Sequence, residues 1–245
     1  MSEVAVVPDA AQVAGAAAEL FVEATAGAVA ARGRGYVALT GGSSAKPLYQ
    51  RLRSPPIRDR IPWSALHFFF TDERAVPPQD ERSNAGLAQR ELLDHVPAAA
   101  AQVHRLRGEA ADLDAEARRA AADLRAVLGD PPRFDLIVLG LGPDGHVCSL
   151  FAGVPDSADR GDTDLVRHVA PPEHLEPRVA RLTLTPFLLV TSRHVVLQVT
   201  GAQKAPVLAR TLEGPEDLVA CPAQWLRHAV GRVVIAADTA AASEL

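Results

Sequence analysis

The chain has 245 residues, 48% of them hydrophobic, and a formal net charge of −5. Apolar content of that order excludes a disordered chain and suffices for a sizeable core, while the acidic balance disfavours nucleic acid or an anionic membrane surface as partner. No apolar run reaches the roughly 18 residues needed to span a bilayer, the N-terminus MSEVAVVPDA lacks the basic segment of a signal peptide, and Cys148 and Cys221 form neither a metal-type pair nor a disulfide framework. A soluble cytoplasmic protein is expected, with both cysteines acting as buried small hydrophobes.

Residues 9–32 are Ala-rich, with Leu20, Phe21 and Val29 among the few large apolar side chains. They predict a helix capped by Asp9 and ended by Gly33 and Gly35. Residues 36–40 (YVALT) form a short β-prone run. Gly41, Gly42, Ser43 and Ser44 follow, and a helical pattern (AKPLYQRL) then runs to Ser54, Pro55 and Pro56. Strand, glycine-serine loop and helix is the arrangement that points backbone N–H groups at a phosphate. Residues 66–70 (LHFFF) are the next strand, delivering Thr71, Asp72, Glu73 and Arg74 to its end. Pro77 and Pro78 stiffen the following loop, and Ser83 reads as the N-cap of a helix to about His95. Residues 103–106 suggest a short strand. A charged, Ala-rich amphipathic helix from Asp112 to Leu128 is stopped by Gly129 and Pro131.

The stretch 134–151 (FDLIVLGLGPDGHVCSLF) organises the chain. Its apolar run 136–139 fits a buried parallel strand that breaks at Gly140. Asp144 and His146 then stand on a glycine-rich loop beyond the strand's carboxyl end, where open α/β sheets bind ligands. A surface turn with an incidental histidine fits this segment alone equally well. Residues 152–165 are polar and turn-rich and read as a loop or flap. Strands are expected at 166–170 and 179–184, and Thr185 with Pro186 marks a helix start. A strand at 194–200 leads through Gly201 into a helix (QKAPVLARTL) closed by Gly214. A short helix at 222–228 and a strand at 232–237 complete the sequence. Lys204 in the first turn of its helix opposes the macrodipole, and a bound phosphate would account for it. Alternating strands and helices predict an α/β fold with a mainly parallel sheet flanked by helices, in a single domain over residues 1–245.

In order along the sequence, TGGSS with PLY, FFFTDERAVPPQDERSN, LGLGPDGHVCSLF, RLTLT, VTGAQKA and CPAQWL resemble the sequence blocks of the 6-phosphogluconolactonases of the pentose phosphate pathway. Ala45 stands where that family usually has Pro, and Cys148 where it has Ala; neither change removes a functional group. The resemblance implies the fold of the glucosamine-6-phosphate deaminase and ribose-phosphate isomerase superfamily. It also implies hydrolysis of 6-phospho-D-glucono-1,5-lactone to 6-phospho-D-gluconate, the second oxidative step of that pathway. It makes His146 a general base and Asp144 its polarising partner; an imidazole, with an ordinary pKa near ~6.5, suits that work at neutral pH. Gly42, Ser43, Ser44, Asp72, Arg74, Arg181 and Lys204 form the expected substrate- and phosphate-binding set, with Asp72 and Glu73 able to hold Arg74. His67, His95, His104, His168, His174, His194 and His228 have no motif around them. Trp63 and Trp225 read as packing residues.

The related deaminases share the Asp-Glu and Asp-Gly-His elements. They usually have an aromatic residue where this sequence has Arg74, and a catalytic glutamate where it has Phe151, so the lactonase reading is favoured. A non-catalytic sugar-phosphate sensor is a third possibility, but such sensors often carry a DNA-binding module that this sequence does not accommodate. No metal or organic cofactor is expected, because no His, Cys or carboxylate cluster has ligand spacing. The expected partner is a small sugar phosphate, with no nucleic acid and no membrane, and the expected state is a monomer or small homo-oligomer.

Overall fold

The computed structural model describes residues 2–160, 164–172 and 175–245. His174 and part of the expected 152–165 flap lie outside the described residues; within that segment Pro155–Ala158 form a short 3-10 turn. Six strands make one sheet: β1 (Glu3–Val7), β2 (Gly35–Leu39), β3 (Leu66–Phe70), β5 (Leu136–Gly140), β8 (His194–Val199) and β9 (Arg232–Asp238). Their order is β1-β9-β8-β5-β2-β3, and every neighbouring pair is parallel. β2 is buried along its whole length, and β5 along all but its last residue. That is why both read as continuous apolar runs rather than alternating ones.

From β2 the polypeptide moves to one side of the sheet, to β3. From β5 it moves to the other, through β8 to β9. The strand order therefore reverses between β2 and β5, and the crevice beyond the carboxyl ends at such a reversal is where this architecture binds ligands. The loops at 41–44 and 141–146 stand on the two sides of that crevice.

Helix α1 (Ala10–Arg32) starts at Asp9, whose carboxylate accepts from the Gln12 N–H at 2.9 Å, and ends at Gly33 with φ 73°. By length and composition this helix could cross a bilayer, which the run-by-run reading missed because Glu19 and Glu23 interrupt it. Its buried Ala14, Ala17, Ala18 and Phe21 account for the apolar content as packing within the fold. Helices α2 (Ala45–Leu52), α3 (Asn84–Glu91), α4 (Leu113–Leu128), α5 (Pro186–Thr191) and α6 (Ala205–Leu212) follow. Asp112 caps α4, accepting from Ala115 N–H at 2.8 Å. Trp63 and Trp225 are buried, as expected.

Several expectations are corrected. β1 was not foreseen; it is a sheet edge with Val4 and Val6 exposed. Asp72–Arg74 is not a loop but a strand, β4. It pairs antiparallel with β7 (Arg181–Leu184), which pairs with β6 (Val166–Val169), in a separate three-stranded sheet. The expected strand at 103–106 is reduced to one bridge between Phe68 and Val103. The helix from Ser83 breaks at Leu92, where φ is −135°, before a 3-10 turn at Leu93–His95. Lys204 closes a 3-10 turn (Ala202–Lys204) and immediately precedes α6.

At the β3 edge, His67 Nδ1 lies 3.0 Å from His104 Nε2, and the His104 ring stacks on Phe69 at 4.3 Å. Burial lowers both imidazole pKa values, helped by the charge of Arg34 at His67 and by His67 itself at His104. The unfolded polypeptide thus binds protons that the folded pair resists. The stabilisation is fully present above the unfolded value near ~6.5 and is lost as pH falls through the folded values. The urea midpoint should fall between pH 7.5 and 5.5, and the His67→Asn/His104→Phe variant should show a shallower fall.

Candidate active site

β4 follows β3 after the single residue Thr71. Thr71 joins the two sheets: its N–H donates to Leu39 C=O at the end of β2, and its C=O accepts from Leu184 N–H at the end of β7, both at 2.8 Å. The short antiparallel sheet is thereby hung over the carboxyl ends of β2 and β3. Two buried carboxylates fix its attachment. Asp72 Oδ2 accepts from Ser149 Oγ at 2.6 Å, and Asp72 Oδ1 from Asn84 Nδ2 at 2.9 Å. Glu73 caps the start of α3. Its Oε1 accepts from the N–H of Arg74 (2.8 Å) and Asn84 (2.7 Å), and its Oε2 from Ala85 N–H (2.8 Å) and Ser83 Oγ (2.9 Å). Burial raises the Glu73 pKa, and those donors work against the rise. Ser83 Oγ in turn accepts from Gly86 N–H at 2.9 Å, so the expected N-cap is present and is backed by a second one.

A cleft of about 250 Å³ opens at the β2/β5 reversal, lined by Gly42, Ser44, Asp72, Arg74, His146, Arg181 and Lys204 among others. The structure thus brings together most of the residues singled out from the sequence. Ser43 is exposed and lies outside the lining. Asp144 stands behind His146: its Oδ1 lies 2.6 Å from His146 Nδ1 and also accepts from the His146 backbone N–H at 3.2 Å. With Nδ1–H donated to the carboxylate, Nε2 carries the lone pair. Gly142 is required here, because a Cβ at that position would stand 2.0 Å from His146 Nδ1. At Gly140 a Cβ would come within 2.8 Å of Ser44 Oγ, so the β5 end must be bare for the 41–44 loop to close down on it.

The cleft is rich in cations. Arg181 is 4% exposed, and its pKa is lowered to about 10 by burial first and by the charge of Arg74 second. Asp72 lies 3.9 Å from its guanidinium. Arg74 donates to Arg82 C=O at 2.6 Å but keeps a buried Nε without a partner. Lys204 Nζ donates to Leu141 C=O at 2.8 Å. Burial lowers its pKa, and the neighbouring Asp144 partly restores it. Three basic groups held in a half-closed cleft with unspent donors form a site for a multiply charged anion.

Phe151 walls the cleft. Its ring meets His146 edge-on at 5.5 Å and lies 5.7 Å from the Arg181 guanidinium. A larger cavity of about 450 Å³ lies behind Phe151, Ser149 and Thr183. Its Arg167 is already engaged with Asp159 and the backbone of Asp156, so it offers no comparable anion site. Cys148, read as a buried hydrophobe, is instead half-buried at the cleft with φ 54°. Burial and the negative charge of Asp72 push its thiol pKa well up. Among the described residues, no group of three or more His, Cys, Asp or Glu is placed to hold a metal ion. Thr40, Asn84 and Glu176 also line the cleft and are outside the set expected from the sequence; Asn84, adjacent to an N-cap, carries only a helix-start signal there.

The crevice at a parallel-sheet reversal, the carboxylate-oriented histidine and the cleft with three basic groups define an anion-binding α/β protein. The chain belongs to the family of glucosamine-6-phosphate isomerases and 6-phosphogluconolactonases, whose profile matches residues 8–235. It is 37% identical over 238 residues to the 6-phosphogluconolactonase of Mycobacterium tuberculosis, covering 94% of this chain and 92% of that one. The 6-phosphogluconolactonase of Trypanosoma brucei superposes with a TM-score of 0.86 at 28% identity, covering 100% of this chain and 99% of that one. A monomeric glucosamine-6-phosphate deaminase superposes with a TM-score of 0.84 at 20% identity, covering 99% of this chain and 100% of that one. That last likeness is one of fold.

Removing the Glu73 carboxylate strands two backbone N–H groups at the start of α3 and that of Arg74 on β4. Glu73→Ala should therefore cost roughly 2–4 kcal/mol of unfolding free energy, read from urea denaturation.

Proposed function

We propose that the protein hydrolyses 6-phospho-D-glucono-1,5-lactone to 6-phospho-D-gluconate, with His146 as general base. The observation that carries this reading is the 2.6 Å contact between Asp144 Oδ1 and His146 Nδ1, beside a cleft that also holds Arg74, Arg181 and Lys204. The Asp144 contact leaves Nε2 as the acceptor for a water proton. A δ-lactone carbonyl is electrophilic, so the water attacks C1 directly as Nε2 takes its proton. The new C1–O bond forms while the carbonyl electron pair moves onto oxygen. Collapse of this tetrahedral oxyanion breaks the bond from C1 to the ring oxygen, and the imidazolium returns the proton to that leaving oxygen. Asp144 stabilises the imidazolium formed midway.

The N–H of Gly142 donates to His146 C=O at 2.8 Å, and that of Gly145 to Gly142 C=O at 3.1 Å. These amides serve the turn, which leaves Arg181 and the 41–44 loop as donors for the oxyanion. Arg74 and Lys204, with Gly42 and Ser44 at the start of α2, are assigned to the phosphate. A phosphate there offsets the mutual repulsion of Arg74 and Arg181 and gives the buried Arg74 Nε a partner. Phe151 argues against the deaminase chemistry of the same family, since it places an apolar ring against His146 where those enzymes have a carboxylate.

The deciding assay follows freshly prepared phosphogluconolactone against its spontaneous hydrolysis; an unaccelerated rate, or comparable ammonia release from glucosamine 6-phosphate, would overturn the reading. His146→Ala should lower kcat by at least ~10² with a much smaller change in KM, and Asp144→Asn should do less harm. Lys204→Ala should lower kcat/KM by roughly 10- to 100-fold. Unphosphorylated gluconolactone should be a poor substrate for the unmodified protein; equal turnover of the two lactones would remove the phosphate assignment.

A further inference from the structure

Asn84 takes no part in the chemistry above, yet it lines the cleft and is 1% exposed. Its carboxamide joins two walls that are far apart in the sequence. On one side Nδ2 donates to the Asp72 backbone carbonyl oxygen at 3.0 Å and to Asp72 Oδ1 at 2.9 Å. Both partners are acceptors, which fixes the amide orientation, because the flipped amide would set oxygen against oxygen. On the other side the carboxamide fills the space beside Gly41: a Cβ on Gly41 would stand 1.8 Å from Asn84 Oδ1 and 2.2 Å from its Cγ. The oxygen is buried and has no hydrogen-bond partner. An unsatisfied buried carbonyl oxygen carries a cost, and here it is held in place by what the nitrogen does and by the Glu73 carboxylate, which accepts the Asn84 backbone N–H.

We infer that Asn84 is a positioning residue of the substrate site. It clamps the glycine loop after β2 to the Asp72 carboxylate, and Asp72 in turn stands beside Arg181. The clamp fixes the width of the cleft between its phosphate loop and its buried guanidinium. This inference rests on the lactonase reading for its kinetic consequence. It rests on the geometry alone for the coupling between Gly41 and Asn84.

The kinetic test compares three proteins on phosphogluconolactone. Asn84→Ala should raise KM about tenfold with kcat changed by less than about threefold. Asn84→Asp should behave differently. The introduced carboxyl faces the Asp72 carboxylate, with Glu73 on the same strand. When ionised it repels Asp72, and when protonated its O–H can donate to Asp72 Oδ1 and restore the clamp. The ratio of its KM to the unmodified protein's KM should therefore fall as pH is lowered from 8 to 6. A residue needed only for folding would leave that ratio flat. An unchanged KM in Asn84→Ala, or a pH-independent ratio in Asn84→Asp, overturns the inference.

A thermal-denaturation cycle separates failure of the clamp from failure of the lactonase reading. Gly41→Ala alone should lower the midpoint by about 5 °C or more. In the Asn84→Ala background the same change should cost much less, because the obstructing atoms are gone. Equal cost in both backgrounds overturns the clamp. An unmodified protein that does not accelerate lactone hydrolysis overturns the function proposed above, and the cycle then decides the clamp by itself.

Discussion

The site depends on one buried carboxylate. Asp72 is 5% exposed, and a carboxylate that deep costs free energy unless hydrogen bonds satisfy it. Ser149 after β5 and Asn84 at the head of α3 donate to it, the adjacent Thr71 hydroxyl does so at 3.4 Å, and the Arg181 guanidinium on β7 stands 3.9 Å away as an ion pair. Ser149, Asn84 and Arg181 come from separate segments, so satisfying this one group draws three of them together above the carboxyl edge of the sheet. The apolar strands create the crevice, but the distances across it are set by this polar junction. Glu73, beside it, does the same for the first turn of α3. Two consecutive acidic residues thus hold the roof of the cleft in which Asp144 and His146 are paired.

How much of this was legible in the sequence follows from how local each signal is. β2 and β5 were readable because burial on both faces leaves uninterrupted apolar runs, and the Gly142 to His146 turn because glycine spacing and Asp-Gly-His are short-range patterns. β4 was not readable. Asp72, Glu73 and Arg74 carry no strand propensity, and they are extended because β7 pairs with them across more than a hundred residues. β1 escaped for a related reason: it is short and gains its strand character by joining β9, at the far end of the sequence. Lys204 could be picked out by its awkward place before a helix. Asn84 could not, because its position next to a capping serine explains it locally, while its contacts with Gly41 and Asp72 exist only after folding. Nor does glycine spacing tell that the Gly142 and Gly145 amides are spent within their own turn.

The division between the two sheets also separates tasks. The parallel sheet places His146 and the glycine loop after β2 at its reversal point. The antiparallel sheet contributes Asp72, Arg74 and Arg181, and Lys204 lines the same cleft from the turn after β8. Phe151, between His146 and Arg181, stands at that seam.

Cys148 sits in the same cleft with its backbone in the left-handed region and its thiol held protonated by burial and by Asp72. Peroxides and alkylating electrophiles attack thiolates, so their rates on a thiol fall as its pKa rises. Burial, together with the charge that anchors the roof of the cleft, therefore makes the sulfur of Cys148 a poor target for oxidants. A cysteine can thus line the same cleft as His146 and remain a slow nucleophile.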